Sequence, residues 1–384
     1  MHVWFLSVKR GGIDMDAYNE RIQKVRSELE NQGVTAALIT SPLSIAYLTG
    51  FVCEPHERFL GLLLQEDRAF LFVPSLEKEK AESTLSKPGS AVREVIGVQD
   101  TEDPYVKVKQ VAGEIQHNRL AVEKEYMRLT QAERLGSVVG AASFADIGGY
   151  IARMRNKKSA DEVAKLKAAA VLVEEVLAEG LKRVVRGVTE LELVAELEYI
   201  MKKKGAAPSF ETMVLAGANS ALPHGVPGMT QVQEGGFLLF DLGVCKDGYC
   251  SDITRTFVVG EASEEMERIY HTVLAAEEAA IRAVQVGSPL AEVDRAARRL
   301  IDDAGYGSYF MHRIGHGLGM EIHEYPSVHG ANEEKITAGM VFTIEPGIYV
   351  PRVGGVRIED DIHVTEAGAE VLTAFPKALT CLEI

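Results

Sequence analysis

Residues 236–259 read GFLLFDLGVCKDGYCSDITRTFVV: two apolar, strand-like runs, GFLLFDLGV and YCSDITRTFVV, with Lys246, Asp247 and Gly248 at the join. Such a join favours a tight hairpin. In an antiparallel pair closed by a two-residue turn, residues whose numbers sum to an odd value share one face of the sheet. Asp241 and Asp252 satisfy that condition and point the same way. Two carboxylates side by side repel, and a cation between them relieves the repulsion. A lone strand aspartate is more often an edge or turn residue, so the pair by itself leaves both readings open.

Three further segments favour the cation. HRIGHGLGMEIHE, from His312 to Glu324, is too rich in glycine for a helix or an ordinary strand, and it places His312, His316 and His323 in one irregular stretch, three of the chain's 10 histidines. TIEPG ends an apolar run at Glu345 and blocks it with Pro346. In GVRIEDDIHV the apolar Val356 and Ile358 alternate with Arg357 and Glu359, which as a bare pattern also suits a solvated edge. Taken together, Asp241, Asp252, Glu345, Glu359 and one imidazole suit a hard-to-borderline divalent metal, and four carboxylates balance two dications. No sulfur ligand is in the set, which counts against copper(I) or a cysteine-type structural zinc.

Working outward, strands joined by hairpins and mixed with long helices indicate an α+β catalytic domain over residues 156–384. Its first helix opens with a capping box at Ser159 and Glu162, a second with Thr189 and Glu192, and a third with Ser288 and Pro289. Residues 15–155 alternate helix and strand: an amphipathic helix from about Asp16 to Asn31 stopped by Gly33, then AALIT, LGLLL, AFLFV and LAVE, as in a smaller α/β domain. Residues 1–14 precede the first helical pattern and read as a flexible arm or a product of start-site choice. No GxGxxG or P-loop motif supports a nucleotide.

The 384 residues carry a formal charge of -15, with no basic run beyond Lys202, Lys203 and Lys204, which excludes a phosphate-backbone partner. No stretch approaches the ~20 apolar residues of a membrane helix, and no signal peptide is evident, so a cytoplasmic protein without a membrane partner is expected. Cys53, Cys245, Cys250 and Cys381 lack CxxC spacing and are expected to be reduced thiols.

The order Asp241, Asp252, His316, Glu345, Glu359, within DLG, SDITRTF, GHGLG, TIEPGIY and RIEDD, resembles the metallopeptidase family with the pita-bread fold. The preceding creatinase-like domain, with YLTGF at Tyr47 to Phe51, is similar to that of Xaa-Pro dipeptidase (prolidase) and aminopeptidase P. Creatinase lacks these ligands, and methionine aminopeptidase normally lacks the first domain. The resemblance implies two divalent ions per chain, manganese first, with cobalt, iron or zinc as alternatives. Asp252 and Glu359 would bridge them, Asp241 would complete one site, and His316 with Glu345 the other.

It further implies hydrolysis of the Xaa-Pro bond of small peptides by a metal-activated water. Glu345 would move the proton, His323 and His224 would steady the oxyanion and substrate, His312 would help bind substrate, and Arg357 would orient Glu359 or Asp241. Many prolidases carry an arginine soon after the HE.P motif that holds the dipeptide's carboxylate. Here that position is Ser327, so another cation, such as Arg58 from a neighbouring subunit or Arg352, has to serve if dipeptides are selected. Aminopeptidase P action on longer peptides, a non-peptidase metal-dependent hydrolase or lyase, and a binding module are the competing readings. A homodimer is implied as well, and Cys53, His56 and Arg58 either reach toward a partner's site or form a plain surface loop.

Overall fold

The computed structural model describes residues 15–86, 89–113 and 118–384, so the expectation for residues 1–14 lies outside the described residues. These residues form two compact units, the first closing at Met154 and the second running from Arg155 to Ile384.

The first unit is built on a six-stranded mixed sheet. Its spatial order is Val92–Val98, Ala69–Pro74, Gly61–Gln65, Ala36–Ile39, Arg119–Val122 and Ser143–Asp146. The runs AALIT, LGLLL, AFLFV and LAVE all become strands. Ala36–Ile39 is buried along its whole length, as befits a central strand flanked by neighbours on both sides. Helix Met15–Asn31 buries Ile22, Val25 and Leu29, a stripe at spacings of three and four, and Gly33 beyond its end sits at φ 65, where a side chain would be strained.

In the second unit both expected capping boxes form. Ser159 Oγ accepts from Glu162 N at 3.3 Å while the Glu162 carboxylate accepts from Ser159 N at 2.9 Å, and Thr189 and Glu192 repeat the exchange. Each such cap stabilises its helix start by about 1 kcal/mol. The third start differs: an isolated bridge to Lys335 holds Pro289 extended, so the helix begins at Leu290 with no side-chain cap.

Two larger sheets, of four and five strands, carry this unit beside two smaller ones. Helices Ala160–Leu181 and Glu190–Lys203 pack on strands Gly236–Leu242 and Ile253–Val259 through Leu172, Val176, Leu197, Phe240 and Phe257. Helices Glu264–Ala283 and Leu290–Asp303 pack on strands Val341–Ile344 and Asp360–Thr365 through Ile269, Val273, Val293, Phe342 and Ile362. The two sheets meet at an isolated bridge between Thr254 and Glu359, so each contributes acidic side chains to the same place.

The hairpin of residues 236–259 closes as expected. Asp247 and Gly248 both have positive φ, 50° and 82°, the signature of a type I′ turn. The turn pairs Lys246 with Tyr249 and Cys245 with Cys250, and the longer strands continue in the same register to Asp241 opposite Thr254. That register places Cys245 and Cys250 face to face with Cα atoms 4.2 Å apart. A disulfide joins them, which corrects the expectation of free thiols for this pair; Cys53 and Cys381 are free.

Candidate active site

Because Asp241 faces Thr254 across the ladder, Asp252, two residues before Thr254, lies on the same face as Asp241. The Asp-Gly turn thereby sets both carboxylates toward one space. His316 enters from the short strand Gly315–Gly317, which is squeezed between two others: a Cβ on Gly315 would lie 1.9 Å from Thr343 O and one on Gly317 2.2 Å from Tyr325 O. Only glycine fits at either position, and the pair of glycines lets His316 reach inward between its neighbours. Glu345 follows strand Val341–Ile344 and Glu359 precedes strand Asp360–Thr365.

Ligand atoms of Asp252, His316 and Glu359, all buried, lie within 4.8 Å of one another. His316 Nε2 is 3.7 Å from Asp252 Oδ2 and 3.6 Å from Glu345 Oε1. Asp241 Oδ1 and Asp252 Oδ1 are buried without a hydrogen-bond partner. Burial, Glu359 and Asp241 raise the Asp252 carboxyl well above its usual range. Burial and the neighbouring Glu345 and Asp241 do the same to Glu359. Glu345 rises to about 7, mostly by burial, with Arg357 opposing and Asp241 adding. Orphaned oxygens and mutually repelling buried carboxyls fit a divalent cation, which satisfies both. Burial, with help from His323, pushes His316 down to about 3, so it is neutral and able to ligate.

This electrostatic arrangement gives metal removal a signed pH dependence. A carboxyl raised in the folded state contributes its stability below the unfolded value of about 4.3 and loses it as pH rises through the folded value, here about 7 for Glu345. A bound cation cancels the repulsion, whereas His316, at about 3, stays neutral over that window. The difference in Tm between metal-loaded and chelator-treated protein should therefore be greater at pH 8 than at pH 5.5, by on the order of 5 °C in scanning calorimetry. A difference that shrinks with rising pH would contradict a carboxylate cation site.

Around this cluster lies a cavity of about 450 Å³, lined by Asp241, Asp252, His316, Glu345 and Glu359 together with His224, His312, His323, Arg313, Arg357, Phe210, Met213, Pro223 and Ile322. Every expected site residue is thus brought to one space. His323 packs edge-on against His316 with ring centroids 4.3 Å apart, and burial followed by the charge of Arg313 lowers its pKa. His312 stands 2.9 Å from the Tyr349 hydroxyl and is pushed by burial to about 4. Of the two partners expected for Arg357, the structure shows Asp241, at 2.5 Å; Arg357 also donates to Tyr349 at 2.8 Å and to Thr254 at 3.1 Å.

Several members of the site were not foreseen. Thr254 donates to Glu359 at 2.6 Å, and Tyr349 joins His312 to Arg357. Asp361, fully buried, accepts from Asp252 N at 3.1 Å. Behind His323, Glu324 accepts from Arg155 at 2.5 Å and Lys158 at 3.2 Å. Burial alone would raise Glu324, but these two cations overcome it and hold the carboxyl at about 2. Of the cations expected to replace an arginine at position 327, Arg352 occupies an exposed turn at φ 72 and is not among the residues lining the cavity. Within its own chain Arg58 pairs with Asp100 and Glu57, and the expectation for it concerns a neighbouring subunit.

Residues 164–366 match metallopeptidase family M24, and residues 21–157 match the Creatinase/Prolidase N-terminal domain. YkvY of Bacillus subtilis (strain 168), whose assignment as a dipeptidase is provisional, is 46% identical over 366 residues, 94% of this chain and 99% of its own. The structure is similar to that of the Xaa-Pro dipeptidase from Bacillus anthracis, with TM-score 0.87 and 34% identity over 95% of this chain and 100% of that one. It is also similar to the prolidase from Pyrococcus horikoshii OT3, with TM-score 0.86 and 33% identity over 94% and 100% of the two chains. With a creatinase-type domain ahead of an acidic, histidine-bearing cavity between two sheets, this chain belongs to metallopeptidase family M24 and has its pita-bread catalytic fold.

Proposed function

We propose that the chain hydrolyses the Xaa-Pro bond of dipeptides, using two divalent ions held by Asp241, Asp252, His316, Glu345 and Glu359. The observation that carries this reading is the convergence of four carboxylates and one neutral imidazole, two carboxylate oxygens unpartnered, at the wall of a cavity sized for a small peptide. Asp252 and Glu359, the most deeply buried of the four carboxylates, would hold the ions together with Asp241, His316 and Glu345. Manganese is the first choice of metal, with cobalt, iron or zinc as alternatives. When bound, the ions supply an acidified water and a polarised scissile carbonyl.

The protein's own groups complete the reaction. Glu345, on the cavity wall beside His316, receives the proton from the attacking water and delivers it to the departing proline nitrogen. His323 and His224 donate to the developing oxyanion, and His312 helps seat the substrate. Arg357 holds Asp241 in place while itself fixed by Tyr349 and Thr254. Proline carries no N–H and has a rigid ring, so it suits a wall without an acceptor to satisfy, such as Phe210, Met213, Pro223 and Ile322.

Ala-Pro and Ala-Leu, assayed with Mn, Co or Zn, test the reading. Ala-Pro should be preferred in kcat/KM by at least about tenfold. Equal turnover of the two, or turnover of Ala-Leu alone, rejects the proline assignment while leaving a metallopeptidase. The homodimer implied by the family resemblance and the cytoplasmic location expected from the sequence stay part of the proposal.

A further inference from the structure

We propose that Arg313 is the residue that selects dipeptides: its guanidinium, standing beside Ser327 at the cavity wall, receives the free carboxylate of the substrate. The inference rests on the peptidase reading above and adds to it the group that measures substrate length.

Ser327 is directly opposite the candidate ligand His316 on the neighbouring strand, so its side chain is on the site's face of the sheet. A serine there can offer one neutral hydrogen bond, which does not compensate a carboxylate taken out of water. Arg313 donates to Ser327 Oγ at 3.1 Å from Nη1, which brings a guanidinium to the position where the side chain at 327 is too short to supply one.

Two cations line the cavity among the described residues, Arg313 and Arg357. Arg357 is buried, and its guanidinium is engaged by Asp241, Tyr349 and Thr254. Arg313 is exposed and pairs with no carboxylate among the described residues. An arginine left without an anion in an otherwise acidic cavity, held from Nη1 by a neutral hydroxyl, has donors of its planar fork to offer a carboxylate. It is also near enough to the centre for its charge to bear on His316, His323 and Glu345. In Xaa-Pro the carboxylate is borne by the residue that follows the scissile bond, and Arg313, lining the same cavity as the ligands beside Ser327, is placed to meet it. A longer peptide puts a neutral amide there and forfeits the charge-assisted contact.

The test compares Ala-Pro with Ala-Pro-amide, and Ala-Leu with Ala-Leu-amide, for the wild type, Arg313→Ala, Arg313→Lys and the double variant Arg313→Ala/Ser327→Arg, with metal content measured throughout. Arg313→Ala should lower kcat/KM for the free acid by about ten- to a hundredfold, chiefly through KM, and the loss on the amide should be at least about tenfold smaller. Arg313→Lys should fall between, and Ser327→Arg in the alanine background should restore the preference for the acid. Equal losses on acid and amide, or no loss on either, overturn the assignment. If the wild type favours Ala-Leu, the proline reading fails, and the acid-to-amide ratio on Ala-Leu still decides the role of Arg313. If it cleaves none of the four with any metal, both proposals fall together.

Discussion

Asp252→Ala is expected to lose both metal ions, or nearly so, and with them activity by a factor of about a thousand or more. Asp252 is fully enclosed among Glu359, Asp241, Asp361 and Glu345, and one of its oxygens has no partner in the protein. In the proposed site it serves both ions, so its removal strips a ligand from each and leaves no site whole. The folded chain need not suffer. The variant removes one of several mutually repelling carboxyls, and the Asp252 backbone N–H keeps its bond to Asp361. Elemental analysis after dialysis, beside a thermal melt in chelator, separates the two effects. Two ions retained by a well-folded Asp252→Ala protein would falsify the bridging role. Asp241→Ala makes a useful contrast, since it should empty one position and free Arg357 to disturb Thr254 and Tyr349.

How much of this could be read from the residues alone follows from where each constraint acts. The face shared by Asp241 and Asp252 was legible because a two-residue turn fixes parity, and Asp247-Gly248 makes such a turn. The same parity pairs Cys245 with Cys250, whose spacing and number alone suit free thiols; their opposition across the turn is what joins them. Capping boxes at Ser159 and Thr189 were legible because both partners lie within one helical turn. Thr254 and Tyr349 were not. Thr254 meets Glu359 only where the two sheets touch, and Tyr349 sits in an apolar run whose pattern gives no hint that its hydroxyl joins His312 to Arg357. Arg313 is the one arginine or lysine in the glycine-rich stretch that carries the three histidines, but its approach to Ser327 depends on strand pairing that the sequence does not show. A cation three residues before a ligand, on the segment leading into the strand that pairs with Ser327, is the signal the sequence carries.

His323→Ala should leave metal content close to wild type and lower kcat by roughly a hundredfold or more, the size of effect that losing an oxyanion donor or general acid produces. The ring lies outside the trio Asp252, His316 and Glu359, yet it lines the cavity and packs against His316 at 4.3 Å between centroids. Burial and the positive charge of Arg313 both lower its pKa, so near neutrality it is an uncharged donor and survives beside bound cations without repelling them. Its position is well anchored, since the adjoining Glu324 is gripped by Arg155 and Lys158, both in the same unit. Because alanine also removes a neighbour of His316, His323→Asn and His323→Gln are needed beside it. Each retains a donor of similar length and should recover part of the lost kcat if hydrogen bonding is the contribution. If kcat drops only in step with metal occupancy, or if all three variants turn over like wild type, His323 serves to pack His316 and the oxyanion must be held by His224 alone.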